Sequence, residues 1–222
     1  MINDRLDIRK VIDRYIGIPL LIGVKMIHPV KRKQSVEMAD KKQIKNILVI
    51  YLSGIGDTVM VATCLKAIAR SYPKAEICFL ASSQNYEIIK DNPCVSKCFC
   101  LDTRKGVTRF YRSLARIIEK SRRTGFDVIV DFEQFLRLSA IICLLSKPIV
   151  AVGFQTKNQF RHYAYTHKQT FDPCVHTLEN FFRLVRRLEV RARSKQLSPV
   201  FVSEKNRAFV MDLLDACGLS GK

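Results

Sequence analysis

Lys45-Asn-Ile-Leu-Val-Ile-Tyr-Leu-Ser-Gly-Ile-Gly-Asp57 decides the fold. Ile47 to Leu52 is an apolar run without alternation, the pattern of a strand buried on both faces of a parallel sheet. Ser53, Gly54, Ile55 and Gly56 then predict a sharp turn, since glycine permits backbone angles and close approaches that a side chain forbids. Asp57 stands where a helix is expected to begin. Val59, Ala62, Leu65, Ile68, Ala69 and Tyr72 repeat at helical spacing. This places Asp57 at the C-terminal end of a central strand, where open α/β sheets bind ligands. Two roles fit a carboxylate there, and they are compatible. One is a helix N-cap; the other is a general base at the mouth of a crevice.

Two phosphate motifs are excluded. Val59 occupies the place of the third glycine of the dinucleotide fingerprint, and no Gly-Lys-Ser/Thr follows to make a P-loop.

Outward from this stretch, strand and helix alternate. Tyr72-Pro73-Lys74 stops the first helix, and Glu76 to Ala81 is a second strand. A short helical piece, Tyr86 to Lys90, ends at Asp91-Asn92-Pro93, and Val95 to Leu101 reads as a third strand. Thr108 to Arg123 is a helix that turns Phe110, Leu114 and Ile117 inward. Arg109, Arg112, Arg116, Lys120 and Arg123 form a basic stripe on another of its faces. That stripe is either a solvated face or a surface for phosphate or anionic lipid. Phe126 to Asp131 is a strand, Leu136 to Leu145 an apolar helix, and Ile149 to Val152 another strand closing on Gly153 and Phe154. Such alternation over residues 45 to 155 means a Rossmann-like, doubly wound parallel sheet of the α/β class. Gln155 to Val175 reads as a loop. His162, His167 and His176 match no zinc spacing, so no metal is expected. Helices follow from His176 to Leu188 and from Ser203, as cap, to Cys217, with Gly218 ending the last one.

Residues 1 to 33 read as a separate helical segment: a charged amphipathic stretch, then apolar Tyr15 to Val30 broken by Pro19 and Lys25, then Lys31-Arg32-Lys33. It is shorter than the ~20 residues a spanning helix needs. It suits either an anchor on anionic lipid or a helix packed on the globular body. Residues 34 to 44 are a polar linker, and the main domain runs from 45 to 222.

A formal charge of +18 points to an anionic partner: nucleic acid, an acidic membrane surface or a phosphorylated substrate. No helix-turn-helix, finger or aromatic RNA-binding pattern supports nucleic acid. The eight cysteines are scattered through strands and helices and no secretory signal precedes them, so they read as reduced thiols of a cytoplasmic protein. Cys94, Cys98 and Cys100 lack paired zinc spacing.

With these segments placed, the sequence resembles the N-terminal half of glycosyltransferase family 9, the bacterial heptosyltransferases. The likeness lies in Ile47 to Asp57, then Val61-Ala62-Thr63, Tyr72 to Ile77, and Asn92-Pro93. It continues in Asp131 to Ser139 with its Leu136-Arg137, in Val152-Gly153-Phe154, and in His176 to Asn180. Cys64 stands where the family usually has proline. The resemblance implies a two-domain enzyme that moves a heptose from an ADP-sugar to the inner core of lipopolysaccharide, with inversion and with neither metal nor cofactor. It implies that Asp57 is the general base. Substrate contacts are expected at Ser53, Gly54 and Gly56 of the turn and at Arg137 and Arg161, since arginine meets phosphate or carboxylate bidentately. The partners expected are a lipid-linked anionic saccharide acceptor, a nucleotide-sugar donor if a second domain or chain is supplied, and, from the apolar and basic N-terminal segment, an anionic membrane surface at the inner face of the inner membrane. Residues 1 to 222 correspond to the acceptor half, and the donor-binding domain is not among them. The rival expectations are a membrane-surface module on the same scaffold without chemistry, or a truncated or split reading frame.

Overall fold

The computed structural model describes residues 17–27, 43–103, 106–191, 197–202 and 204–219. The expected helix over residues 1 to 14, most of the linker, and the Ser203 cap lie outside the described residues.

Six parallel strands form one sheet in the order β3-β2-β1-β4-β5-β6. They are β1 (Asn46–Ile50), β2 (Glu76–Ser82), β3 (Lys97–Leu101), β4 (Val128–Asp131), β5 (Val150–Gln155) and β6 (His167–Thr170). The helices are α1 (Gly17–Ile27), α2 (Ile55–Ser71), α3 (Tyr86–Ile89), α4 (Val107–Thr124), α5 (Arg137–Ser146), α6 (Thr177–Arg186) and α7 (Glu204–Ala216). From β1 the chain winds one way through β2 to β3. It then returns to the middle and winds the other way from β4 to β6. The winding therefore reverses between β1 and β4, where Ile50 pairs with Asp131 at the ends of the strands.

Two apolar layers sandwich the sheet. Ile47 and Val49 face α2 and α6 through Val61, Leu65, Phe181 and Val185. Leu48 and Ile50 face α1, α4 and α5 through Leu21, Ile117 and Ile141. Every β1 side chain from Ile47 to Ile50 is buried, which explains the absence of polar alternation in that strand. Helix α1 buries Leu21 in this second layer, so this part of the N-terminal segment packs on the globular body. Among the described residues no helix is long and apolar enough to cross a membrane. All eight cysteines are free.

One stretch differs from the expected loop. Gln155 to Val175 contains a 3₁₀ turn (Arg161–Ala164) and the edge strand β6. The β6 sequence, His-Lys-Gln-Thr, is half-exposed and polar and so lacks an apolar signal, yet it pairs in register with β5 from Val152↔His167 to Gln155↔Thr170.

Candidate active site at the β1–β4 crevice

Helix α2 begins two residues earlier than Asp57. Gly54 is its N-cap residue, in extended backbone conformation (φ −62°, ψ 154°), and makes no side-chain cap. Asp57 therefore lies in the first turn of α2 and caps nothing. Instead its Oδ2 accepts a hydrogen bond of 2.8 Å from the Tyr51 hydroxyl, at the end of β1. Tyr51 is buried, with its ring edge against Phe181. Burial, and then the hydrogen bond to Asp57, hold the phenol far above its usual pKa range, so Tyr51 is a fixed donor. Asp57 itself is half-buried at the helix N-terminus, where the macrodipole favours negative charge.

The glycines contribute differently from expectation. Neither Gly54 nor Gly56 takes a positive φ, so the turn does not require their conformational freedom. Both are exposed, and a Cβ added to either would meet nothing within 4 Å. What they provide is open backbone beside Asp57.

The turn is fastened from both sides. Asn85 Nδ2 donates to the Tyr51 carbonyl and to Thr58 Oγ1, each at 3.0 Å. On the other side, Glu133 reaches across from the end of β4. Its Oε1 accepts from the Leu52 N–H at 2.6 Å, and its Oε2 accepts from Ser53 Oγ at 2.8 Å. Ser53 thus has a structural partner as well as its place at the crevice.

Beneath the turn lies a closed ionic cluster. Asp131 and Arg161 are both 0% exposed, and Glu133 is 2% exposed. Arg161 Nη2 pairs with Asp131 Oδ2 at 2.8 Å and donates to Ser139 Oγ at 2.9 Å, while its Nη1 donates to the Glu133 carbonyl. The Tyr165 hydroxyl adds a 2.6 Å bond to the same Asp131 oxygen. Gly153 is required here: a Cβ on it would sit 2.3 Å from the Tyr165 ring. Two carboxylates share one cation, so the cluster cannot be neutral with both ionised. Burial first, and the charge of Asp131 second, push Glu133 up to about 7, against the pull of Arg161, Leu52 and Ser53. Burial opposes the charge on Arg161, but Tyr165, Asp131 and Glu133 outweigh it, and the guanidinium stays protonated.

Arg137 and Arg161, expected to contact the acceptor, are both buried and bonded within the protein. Arg161 is spent inside the cluster, because a carboxylate buried without a cation is far more costly than one at the surface. Arg137 is 3% exposed and donates to the carbonyls of Gln159 (3.1 Å) and Asn158 (3.3 Å), holding the loop before the 3₁₀ turn. The three histidines among the described residues are dispersed: His162 in the 3₁₀ turn, His167 in β6, and His176 as the N-cap of α6, accepting from the Leu178 N–H at 3.2 Å.

A crystal structure of a family 9 glycosyl transferase from Veillonella parvula superposes on this chain with a TM-score of 0.71 at 16% identity, over 82% of this chain and 52% of that one. The chain has the fold of the family 9 glycosyltransferases. E. coli heptosyltransferase WaaC with ADP matches with a TM-score of 0.54 at 15% identity, over 70% of this chain and 50% of that one. Lipopolysaccharide heptosyltransferase 1 from Campylobacter coli is 25% identical over 129 residues, which are 57% of this chain and 36% of the relative. The chain thus spans about half the length of the family 9 structures it matches. No family model matches it.

The sequence points to Asp57 but not to two residues that hold it in place. Tyr51 carries a usable signal, a hydroxyl at the end of the strand that feeds the turn. Glu133 carries one as well: with Asp131 it makes two carboxylates two residues apart at the end of an apolar strand, which need a buried cation or a donor.

Proposed function

We propose that the chain is the acceptor half of an inverting glycosyltransferase, with Asp57 as general base. The sugar is a heptose or a related sugar carried on a nucleotide, and the acceptor is a hydroxyl of the lipopolysaccharide inner core. The observation that carries this reading is the Asp57 carboxylate, held by Tyr51 at the switch point of a family 9 fold, with open backbone at Gly54 and Gly56 beside it. A sugar hydroxyl attacks poorly until its proton has a destination. Tyr51 occupies Oδ2, leaving Oδ1 to take that proton. As the acceptor oxygen bonds to the anomeric carbon, the bond to the nucleotide diphosphate breaks on the opposite face, and the configuration inverts. E. coli WaaC has been solved with ADP and with ADP-2-deoxy-2-fluoro heptose, which supports a nucleotide-sugar as donor. In this reading the donor is held by a second α/β half outside these 222 residues.

The test is transfer from ADP-heptose to a core saccharide by the chain together with a donor-binding half. Asp57→Ala is expected to lower turnover by about 10²–10⁴ without unfolding the protein. Unchanged turnover removes Asp57 as base. Titration of ADP-heptose into the 222-residue chain should show little binding, and tight binding would move the donor site into this half.

A further inference from the structure

The crevice has two lips, one after β1 and one after β4, and ligands of open α/β sheets bind between such lips. The β4 lip is Phe132 to Leu136, between the end of β4 and the start of α5. It is tied down along its length. The Glu133 N–H donates to Asp131 Oδ1 at 3.0 Å, the Glu133 carboxylate grips Leu52 and Ser53, and the Leu136 carbonyl accepts from Ser139 Oγ at 3.0 Å. Phe132, Glu133 and Gln134 are buried and Leu136 is half-buried. Phe135 is the one exposed side chain of this lip, at 56%. A phenyl ring is usually withdrawn from water, and here a fixed backbone presents it.

The ring is propped rather than loose. Phe171, just after β6, meets it edge-on with centroids 6.2 Å apart. Phe171 rests in turn against Phe154, and Phe154, Phe132 and Tyr51 all contact Phe181. These supporting rings belong to the apolar layer that α2 and α6 cover. Helix α2 carries Asp57 in its first turn, so the ring network runs from the hydrogen-bond donor of Asp57 to Phe135 at the surface.

The β1 lip differs in kind. It offers the Ser53 hydroxyl, the Asp57 carboxylate and exposed backbone at Gly54 and Gly56, beside one exposed apolar side chain, Ile55. A ligand that suits both lips needs hydroxyl-bearing edges and an apolar face. A sugar ring has both. Its hydroxyls radiate from the edge, while its axial C–H bonds, polarised by the neighbouring oxygens, point at the negative face of an aromatic ring.

We propose that Phe135 is a saccharide-stacking platform, which takes one sugar ring of the acceptor while a hydroxyl of the same acceptor reaches Asp57. This deepens the glycosyltransferase reading and rests on it. A protein partner is the other occupant that an exposed ring could have. However, Phe135 is the sole large apolar side chain exposed among residues 128–146, and a protein interface needs a far larger patch.

Titration of a deacylated lipopolysaccharide inner-core saccharide into the 222-residue chain tests it, read by calorimetry and by saturation transfer from aromatic protons to sugar C–H protons. Phe135→Ala should weaken binding about tenfold, and Phe135→Leu, apolar but without a π face, nearly as much. Phe135→Tyr keeps the π face and should bind within about twofold of wild type. Alanine binding as tightly as phenylalanine would overturn the proposal. Leucine binding as tightly would also overturn it, since an apolar contact would then suffice. The ring is exposed, so all three variants should melt close to wild type. With a donor-binding half present, Phe135→Ala should raise the acceptor KM about tenfold at nearly unchanged kcat, because stacking serves ground and transition states alike. A fall in kcat with KM unmoved would contradict a binding platform. The two readings fail separately. Saccharide binding that Phe135→Ala leaves intact removes the platform alone, whereas no binding by wild type removes the acceptor-half reading with it. The titration needs no turnover, so a failure of Asp57 as base leaves its result standing.

Discussion

The two sides of the crevice hold the same functional group in opposite states. On the β1 side, Asp57 is half-buried, accepts a hydrogen bond of 2.8 Å from Tyr51, and sits beside exposed backbone at Gly54 and Gly56. On the β4 side, Asp131 and Glu133 are sealed from water and surrounded by Arg161, Tyr165, Ser53 and the Leu52 N–H. A carboxylate must be reachable and incompletely bonded to accept a proton from a substrate. A carboxylate that is buried and fully bonded instead fixes the backbone. In the proposed reading the β4 side is therefore the frame, and the β1 side would bear the chemistry. Glu133 joins them, because it grips the turn that leads to Asp57.

Four substitutions bear on this division. The largest effect on folding is expected from Arg161→Ala, which strands Asp131 without its cation. Urea unfolding should show a loss of about 3–5 kcal/mol; a loss below about 1 kcal/mol would mean that the cluster is wet and the frame is not there.

Glu133→Gln separates the charge of Glu133 from its shape. The amide oxygen still accepts from Leu52, and the amide nitrogen donates to a reoriented Ser53 hydroxyl. Glu133 is raised from an ordinary 4.5 to about 7 in the fold. Below pH 4.5 both folded and unfolded chains hold the proton, so nothing is lost. As pH rises further, the unfolded chain releases the proton first, and stability declines until the folded group has also ionised, above pH 7. The cumulative loss is about 3 kcal/mol. The glutamine variant does not titrate there, so its stability relative to wild type should climb by that order between pH 4 and pH 9. A difference that stays flat with pH would mean that Glu133 is solvated.

Gly153→Ala forces a methyl group into the Tyr165 ring. Overpacking of this kind costs about 1–3 kcal/mol, seen as a lower melting temperature. Wild-type stability would show that Tyr165 can leave Asp131 without penalty. Tyr51→Phe removes the hydroxyl that bonds Asp57 while keeping the ring against Phe181. A loss of about tenfold in transfer rate, with stability changed by about 1 kcal/mol, is the expected signature of a positioning hydroxyl. No change in rate would leave Asp57 positioned by the helix alone.

Much of this architecture is legible in the sequence alone. The apolar runs at residues 47–52, 76–81 and 126–131 suit strands buried on both faces, and they form β1, β2 and β4. The glycine turn ahead of Asp57 places it at the end of the central strand. Less legible is whatever depends on partners distant in sequence. Arg161 looks like a surface arginine until Asp131, thirty residues earlier, is seen to face it. Glu133 reaches Leu52 across 81 residues, a separation no local pattern encodes. Strand β6 is polar because it is an edge, and edge strands need no apolar run. The start of α2 falls two residues ahead of the expected Asp57, because an acidic residue in the first turn of a helix looks like a cap in sequence.

The most direct measurement is the transfer rate of Asp57→Asn, determined beside its unfolding midpoint with the donor-binding half present. Asparagine keeps the size of the side chain and can still accept the Tyr51 hydrogen bond, but it cannot take a proton from a sugar hydroxyl. A rate lower by about 10²–10⁴ with the midpoint unmoved is the predicted result. A rate within about threefold of wild type would contradict the assignment of chemistry to the β1 side.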